Sequence, residues 1–471
     1  RDVAPSRGLG DVYKRQTTDN NSYSHNYGVE SYLARINYGF KSRYYIDASW
    51  RTDGSSRFHP SDRWGHFWSV GASWRISEEQ FMENTRQWLD NLTLKVSYGV
   101  QGNDNLGTYY AWQGLYDYTW PNATDAGAFV DKLENRKVTW EKNGNLNAGI
   151  EATMFGGRLG VSVEYYNRKT RDMLLNSPLP ISTGFTGFND NVGSLRNQGL
   201  EVSLRGTILD KRDFRWDATL MGSFNRNKVL SLTGGQDVIT SGIRVIEVGR
   251  PIYTFYLPKT AGVDPATGKQ LYYAYWTQTV NDEGTLVNTR CDEYITDNVA
   301  MATLSKYYHE SREPKLFGSI GSTFTILKNI DVSFLTTYSI GGWVYDGLYN
   351  GSMYVQYAGN NWHKNAKRRW QKPGDKTDVP MLEVGGSYAT TSNSLIDASY
   401  FAIKNITVGY TLPKRWLKKI DIESLRIYAT LDNIAMFNHM DGMDPQYNFT
   451  GSVAYSYTPS RVIAFGIDLN F

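Results

Sequence analysis

The stretch RYYIDASWR (residues 43–51) decides the fold, because its side chains alternate strictly between apolar and polar. One set of positions holds Tyr44, Ile46, Ala48 and Trp50, and the other holds Tyr45, Asp47, Ser49 and Arg51. Successive side chains of a β-strand point to opposite faces, so the pattern predicts a strand with one apolar and one polar face. Such alternation also explains how a chain with a mean hydropathy of −0.49 can present a continuous apolar surface.

The same alternation recurs along the whole chain and predicts about thirteen strands. They lie near residues 31–40, 43–52, 65–76, 91–101, 145–154, 158–169, 195–207, 213–226, 315–326, 330–347, 399–411, 424–436 and 461–471. Many keep the pattern for about 9–11 residues, which is the length of a tilted strand that crosses a bilayer. Strands of soluble proteins more often have about 5–6 residues.

The connections between these strands alternate between short and long. The short ones are GFKS (39–42), FGG (155–157), LDKRD (209–213) and LKN (327–329), and the long ones cover residues 102–143, 171–193, 229–314 and 350–395. Alternation alone fits a soluble sandwich as well as a membrane barrel, but long unstructured loops are improbable in a compact soluble domain. Short turns on one side and long loops on the other are typical of outer-membrane barrels. The sequence therefore predicts an all-β, transmembrane antiparallel β-barrel.

Composition excludes several other classes of protein. The net charge is +3, with 50 Lys and Arg against 47 Asp and Glu, so nothing indicates a nucleic-acid partner. A single cysteine, Cys291, and six scattered histidines give no disulfide framework and no metal-binding motif, and no cofactor is expected. The nucleophile motif G-x-S-x-G is absent, so the chain is not expected to be an enzyme.

The two ends of the chain suggest a partial barrel. Residues 1–16, RDVAPSRGLGDVYKRQ, show neither a signal peptide nor strand alternation, and we interpret them as a non-native sequencing-adapter scar that precedes a barrel domain at 17–471. The strand count is odd, whereas bacterial single-chain barrels have even numbers. We therefore expect the C-terminal strands of a 22-stranded plugged barrel, with the plug and about nine strands absent.

Several motifs, taken together and in order, carry a family resemblance. They are YLARINYGFKSRYYIDASWRTDGSSRF, RWGHFWSVGASWRISEEQFM, WLDNLTLKVSYGVQGND, GRLGVSVEYYNRKTRDML, NVGSLRNQGLEVSL, RRWQKPGDKTDVPML, FAIKNITVGYTLP, LRIYATLDNIAMF and SRVIAFGIDLNF. From Tyr32 onward the chain resembles the SusC-like (SusC/RagA) TonB-dependent outer-membrane transporters of Bacteroidota.

The resemblance implies a function and a set of partners. A SusC-like protein imports oligosaccharides, or in some members peptides, under a SusD-like surface lipoprotein that acts as a lid. The TonB–ExbB–ExbD complex supplies the energy through a TonB box and plug, neither of which is recognisable here, so this segment alone is not expected to transport. The alternatives are a TonB-dependent siderophore or cobalamin receptor, an outer-membrane barrel enzyme, and a soluble glycan-binding β-protein.

Aromatic side chains in the long segments are the candidates for substrate contact. YYAWQGLYDYTW (109–120) and YYAYW (272–276) lie outside the strand pattern, and their flat rings could stack on sugars. The candidates are Trp112, Tyr116, Trp120 and Trp276. The alternative is packing within the loops, contact with the lid or an interfacial girdle, because Tyr and Trp favour half-wet positions.

Three further features are assigned from the pattern. The polar strand face carries Arg35, Asp47, Arg51, Lys95, Glu201 and Arg205, which are predicted to face the lumen, where they line a channel or hold a plug. The last strand ends on Phe471, which resembles the terminal aromatic that the barrel-assembly machinery recognises. In GVDPATGKQLYY (262–273), Asp264 could contribute to a calcium site, but the D-x-D-x-D-G spacing is absent and a structural turn is favoured.

The two faces of the first quoted strand can be distinguished by mutation. Ala48→Arg places a charge on the face predicted to meet lipid, at a cost of about 2–4 kcal/mol near the membrane midplane, and should impair barrel assembly. Ser49→Arg should be tolerated, because it faces water in the lumen. The heat-resistant folded fraction in outer membranes measures both effects, and equal folding of the two variants would contradict the barrel.

Overall fold

The computed structural model describes residues 24–118, 127–232, 237–353, 361–383, 388–417, 422–440, 442–446, 450–453 and 457–471. A 13-stranded antiparallel sheet dominates it, and the strands of this sheet follow one another in space in the order of the chain. They are β1 Val29–Phe40, β2 Tyr44–Ser55, β3 Trp64–Arg75, β4 Leu89–Asn103, β5 Glu141–Met154, β6 Leu159–Arg171, β7 Ser194–Lys211, β8 Phe214–Ser231, β9 Leu316–Ile326, β10 Ile330–Ile340, β11 Tyr400–Thr411, β12 Ser424–Asn438 and β13 Val462–Asn470. All thirteen predicted strands are confirmed.

The predicted end of the tenth strand is wrong. The tenth strand was expected to run over 330–347, but β10 ends at Ile340. Gly341 and Gly342 have φ angles of 78° and 79°, which breaks the extended backbone. The chain then forms a separate strand, Trp343–Asp346, which belongs to a small sheet among the loops.

Strand register confirms the two-faced pattern, and side-chain exposure shows that the described residues leave the apolar face uncovered. Ala48 lies directly opposite Ile36 on β1 and Val70 on β3, so apolar residues form rows across the sheet. These rows are exposed: Ile36 retains 71% of its accessible surface and Val70 retains 46%. A soluble sandwich would bury this face against a second sheet. An extended apolar face that no other layer covers is the arrangement expected of a wall in contact with lipid.

The sheet has two end strands. In the described residues β1 pairs with β2 alone and β13 pairs with β12 alone. Each end strand therefore presents one row of backbone N–H and C=O groups without a strand partner in this structure. Such edges are normally paired or covered, because exposed edge groups attract other strands.

The short turns have the backbone geometry of tight hairpins. Lys41 and Ser42, between β1 and β2, both have positive φ angles, of 50° and 54°. Leu327 and Lys328, between β9 and β10, have φ angles of 51° and 63°. Two consecutive positive φ angles match the twist of the flanking strands, so these turns connect neighbouring strands without extra chain.

The connections between the strands of the large sheet contain small sheets and short helices. Their strands are Leu115–Asp117, Phe129–Lys132, Leu174–Pro178, Gly187–Asn191, Val238–Ser241, Arg244–Glu247, Thr254–Pro258, Thr260–Val263, Gln270–Val280, Leu286–Thr296, Lys306–Ser311, Trp343–Asp346, Leu395–Asp397 and Ser452–Val453. The α-helices are Val299–Leu304, Gly347–Met353 and Lys414–Leu417, and the 3₁₀ helices are Ile76–Glu78, Gln80–Thr85, Ile181–Thr183, Lys364–Arg368 and Ser392–Ser394. None of the helices in the described ranges is both long and apolar enough to span a membrane.

Two long segments are joined to each other by a tryptophan. The indole N–H of Trp370 donates to the Pro265 carbonyl at 3.0 Å, and the amide of Gly374 donates to the same oxygen at 2.8 Å. A Cβ on Gly268 would lie 2.5 Å from the Trp370 ring, so only glycine fits beneath the indole. The loop regions around residues 265 and 370 therefore form one connected layer.

A glycine of β7 gives space to a tyrosine of β6. Gly199 lies directly opposite Tyr166, and a Cβ at Gly199 would lie 2.1 Å from the Phe224 carbonyl oxygen and 2.5 Å from the Tyr166 hydroxyl. Gly199→Ala should therefore destabilise the sheet by about 1–3 kcal/mol through overpacking. Gly206→Ala is the matched control on the same strand, because its nearest contact is 3.5 Å away. Urea unfolding of the refolded barrel measures the difference, and equal midpoints would contradict this packing.

Candidate functional site

A cavity of about 530 Å³ lies on the polar face of the sheet, where the loops fold over it. Its lining consists of Tyr166, Leu195, Asn197, Asn225, Asn227, Ile252, Tyr253, Arg312, Glu313, Pro314, Phe317, Ser339, Tyr400 and Gln446. Register places the strand residues of this set on one face of β6–β11, since Asn197 pairs with Asn227, Phe317 with Ser339, and Ser339 with Tyr400. The remaining residues come from the connections, so wall and loops enclose the cavity together.

Asn227 fastens the loops to the wall. Its backbone N–H donates to the Glu313 carboxylate at 3.1 Å, and its side-chain oxygen accepts the Ile252 N–H at 2.8 Å. Its side-chain nitrogen donates to Asn197 Oδ1 at 2.8 Å. A single buried amide thereby fixes two loop residues and the neighbouring strand, which sets the shape of the cavity.

The two charged residues of the lining are adjacent and of opposite sign. The Arg312 guanidinium donates to the Pro445 carbonyl at 2.7 Å, whereas the Glu313 carboxylate accepts the Asn227 N–H. Burial raises the pKa of Glu313 and lowers the pKa of Arg312, because each charged form loses water. Among the described residues, the lining has no excess of either charge, and its other polar side chains are amides and hydroxyls.

The remaining lining side chains offer ring faces and neutral hydrogen-bonding groups. The Tyr166 hydroxyl donates to Asn225 Oδ1 at 2.8 Å, which holds both side chains in place. Phe317 retains 39% exposure and presents its ring on the polar face. Concave sites with aromatic walls and a few fixed polar groups are typical of small-molecule binding.

A tyrosine cluster occupies the long segment between β8 and β9. The rings of Tyr256 and Tyr308 are 4.9 Å apart, and those of Tyr275 and Tyr307 are 5.3 Å apart. The Arg250 guanidinium lies 3.7 Å from the centre of the Tyr308 ring. Burial raises the pKa of Tyr275 to about 12, so its phenol stays neutral and donates to the Lys306 carbonyl at 2.6 Å.

The three predicted substrate-contact aromatics that lie within the described residues do not line the cavity. Trp112 is half-buried and packs against the cluster of Phe58 and Trp140, whereas Tyr116 is 58% exposed on a short loop strand. Trp276 lies on Gln270–Val280, opposite Arg290. Trp120 lies outside the described residues. Substrate contact by these four side chains stays a prediction.

The six predicted lumen-facing charges share the polar face. Register aligns Arg35 with Ser49, and it connects Glu201 to Lys95 through Glu164 and Gly149. The Lys95 ammonium lies 2.6 Å from the Glu151 carboxylate, and Arg51 lies 2.6 Å from Asp53. Asp47 and Arg205 occupy the same face, opposite Gly71 and Gly160. Whether these charges line a channel or hold a plug stays a prediction.

Two smaller assignments can now be located. Phe471 follows β13 and is 87% exposed. Its role as an assembly signal stays a prediction. The Asp264 carboxylate accepts the Thr267 hydroxyl at 2.6 Å and the Ala266 N–H at 3.0 Å. These bonds lower the pKa of Asp264 and give it a structural role in the turn.

Sequence reasoning missed the residues of the cavity. Asn197, Asn225 and Asn227 occupy polar-face positions of β7 and β8, so the alternation could have assigned their direction. Nothing in the sequence indicates that Arg312 and Glu313 fold back over them. The cavity depends on contacts between segments as far apart as residues 166 and 446.

This architecture defines a class of protein. Long antiparallel strands in sequential order, an exposed apolar face and a polar face covered by loops describe the wall of an outer-membrane barrel receptor. The comparisons with known proteins then identify the family.

The model of the family described as "TonB dependent receptor-like, beta-barrel" matches residues 1–434, and the chain belongs to that family. The TonB-dependent receptor SusC of Bacteroides thetaiotaomicron is 28% identical over 94% of this chain and 43% of SusC. The TonB-dependent receptor P26 of Formosa agariphila is 29% identical over 94% of this chain and 46% of P26. The chain spans about half the length of the curated relatives that it matches.

A solved structure, "Structure of the RagAB peptide transporter", matches with a TM-score of 0.81. It is 29% identical and covers 97% of this chain and 50% of the matched chain. The resemblance to SusC/RagA transporters that the motifs carry is thereby confirmed, and so is the β-barrel fold class.

The raised pKa of Glu313 makes the docking of its loop onto Asn227 of β8 depend on pH. A carboxyl whose pKa is raised in the folded site stabilises docking at low pH, and that contribution is lost as the pH rises through the raised pKa. Glu313→Gln should retain docking and remove this pH dependence. Glu313→Ala should weaken docking by about 1–3 kcal/mol, because the buried Asn227 N–H loses its acceptor.

Hydrogen exchange of the Asn227 amide, corrected for intrinsic rates, measures both effects. Docking that is equally stable across the titration in the unaltered chain would contradict this role of Glu313.

Proposed function

We propose that this chain forms the loop-bearing part of an outer-membrane importer that moves oligosaccharides, or peptides, into the periplasm. The observation that carries the proposal is the cavity on the polar face, enclosed by the sheet wall and by loops fastened at Asn227. In this proposal the long segments face the cell exterior and the short turns face the periplasm. The apolar face meets lipid.

The relatives support import as the general activity. SusC and P26 are TonB-dependent receptors, and the matched structure is described as a peptide transporter. We therefore propose that the chain acts as part of a transporter rather than as an enzyme. Since it spans about half of these relatives, import requires the complete transporter rather than these residues alone.

The lining of the cavity favours an oligosaccharide over a charged substrate. The rings of Phe317, Tyr253 and Tyr400 provide apolar faces for sugar rings, and the side chains of Asn225 and Gln446 provide donors and acceptors for hydroxyls. The single positive and single negative group of the lining are adjacent, which disfavours a ligand with a large net charge.

The relationship to SusC and RagAB suggests the partners of this proposal. A SusD-like surface lipoprotein would close the loop side, where the tyrosine cluster of the segment between β8 and β9 offers amphipathic contact area. The TonB–ExbB–ExbD complex would supply energy from the periplasmic side. The barrel-assembly machinery would insert the chain through its terminal strand.

A pair of matched phenylalanine variants tests the site in the complete transporter. Phe317 and Phe401 are each 39% exposed, but they lie on opposite faces of the sheet. Phe317→Leu should lower oligosaccharide uptake about fivefold, because a flat ring is lost from the cavity. Phe401→Leu should leave uptake unchanged, because its ring faces outward.

Uptake of labelled oligosaccharides by cells that produce each variant at equal surface level is the measurement. Uptake that needs neither the lid protein nor the TonB complex would contradict the mechanism. Uptake of a ferric siderophore or cobalamin, without uptake of oligosaccharides, would show that the substrate is a metal chelate or cobalamin and not a sugar.

A further inference from the structure

Six cations lie on the outward, apolar-type face of four adjacent strands, all at the loop end of the sheet. They are Lys142 on β5, Lys169 and Arg171 on β6, Arg196 on β7, and Arg226 and Lys228 on β8. Each stands an even number of residues from an outward apolar residue of its own strand, such as Tyr165 for Lys169 or Phe224 for Lys228. We call this set the cation band.

Strand register brings these side chains side by side. Lys169 is directly opposite Arg196, and Arg196 is directly opposite Lys228, so three cations form one row across β6, β7 and β8. Lys142 is directly opposite Arg171 in the next row toward the loops. Directly opposed residues have Cβ atoms about 4.5–5.5 Å apart, and like charges at that spacing destabilise a sheet.

Carboxylates of the described residues do not neutralise this row. Within the described part of the chain, one member of the band has an acidic partner, Lys142, whose ammonium lies 3.8 Å from the Asp172 carboxylate. Lys169, Arg196 and Lys228 have no such ion pair there. A row of like charges without counter-charges is a site that an external anion would stabilise.

The band borders the apolar surface directly. The rows beneath it hold Tyr165, Leu200 and Phe224, which are 40%, 37% and 50% exposed. At the loop ends of β3, β9 and β11, outward positions carry Trp64, Leu316 and Phe401 instead of cations. A ligand that suits this place has an apolar body beside Leu200 and an anionic group beside Arg196.

We propose that the cation band binds the phosphate-bearing headgroup of a lipid in the outer leaflet. Its acyl chains lie along the apolar face of β6–β8, and its phosphate contacts the row of Lys169, Arg196 and Lys228. Lys and Arg at the rim of a membrane wall attract anionic headgroups that lie within a Debye length of them. The inference depends on the proposed orientation of the barrel but is separate from substrate import.

The first test uses the unaltered, complete transporter in nanodiscs of zwitterionic phosphatidylcholine. Native mass spectrometry measures the binding of a phosphorylated lipid A and of the same lipid after enzymatic removal of its phosphate. The phosphorylated lipid should bind at least about tenfold more tightly. Equal binding of the two lipids would overturn the proposal without the need for any variant. If inorganic phosphate alone displaced the phosphorylated lipid completely, the cation band would be a site for a soluble anion instead.

A second test uses charge-matched variants. Lys169→Gln, Arg196→Gln and Lys228→Gln together should lower the affinity for the phosphorylated lipid about tenfold or more. Lys41→Gln, Arg158→Gln and Lys211→Gln remove the same charge from the short turns and should leave binding unchanged. Lys169→Arg, Arg196→Lys and Lys228→Arg keep the charge and should retain binding.

The variants also separate this inference from import. Equal lipid affinity in the neutral triple variant and in the control with substitutions in the short turns would overturn the proposal that the cation band binds lipid phosphate. Oligosaccharide uptake reports on the cavity instead, so loss of lipid preference with normal uptake would support the band and leave the import proposal unaffected.

Discussion

The rest of this structure depends on the need to pair backbone polar groups in a wall that presents apolar side chains outward. Lipid offers no hydrogen bonds, so each strand inside the wall must obtain its partners from the strands beside it. The sequential order of the sheet satisfies this need with the least chain, because each short turn returns the backbone directly to its neighbour. Once these hydrogen bonds run through the whole sheet, one face can carry apolar side chains and the other polar side chains.

That division explains how the polar face becomes a site. Glycine, serine and asparagine on this face leave room above the wall, as Gly199 does for Tyr166. Loops can then fold inward and make hydrogen bonds to the wall. Asn227 shows the result, because one amide joins β7, β8 and two loop residues. The cavity is therefore a consequence of loop docking rather than of the strands alone.

The outward face is also not uniform. Its middle is apolar, while the loop ends of β5–β8 carry the cation band. A wall that changes from apolar to cationic within one or two rows follows the change from acyl chains to headgroups at a membrane surface. The same sheet thus has a polar face that carries the cavity and an outward face that changes from apolar to cationic.

The sequence by itself determined the strands, their two faces and the family. Period-two alternation is a local property, so RYYIDASWR and its counterparts revealed the thirteen strands and the polar position of Asp47 and Lys95. The break after Ile340 was missed, because a pair of glycines can either continue a strand or end it, and only the backbone geometry decides.

Tertiary structure alone decided the site. The cavity joins Tyr166, Asn227, Arg312 and Tyr400, which are far apart in the chain and carry no shared motif. Trp112, one of the predicted substrate-contact residues, packs against the cluster that contains Trp140 and does not line the cavity. Strand register likewise decided the cation band, since Lys169, Arg196 and Lys228 become neighbours only when three strands are aligned. Local pattern fixes the direction of a side chain, whereas its neighbours depend on how distant segments meet.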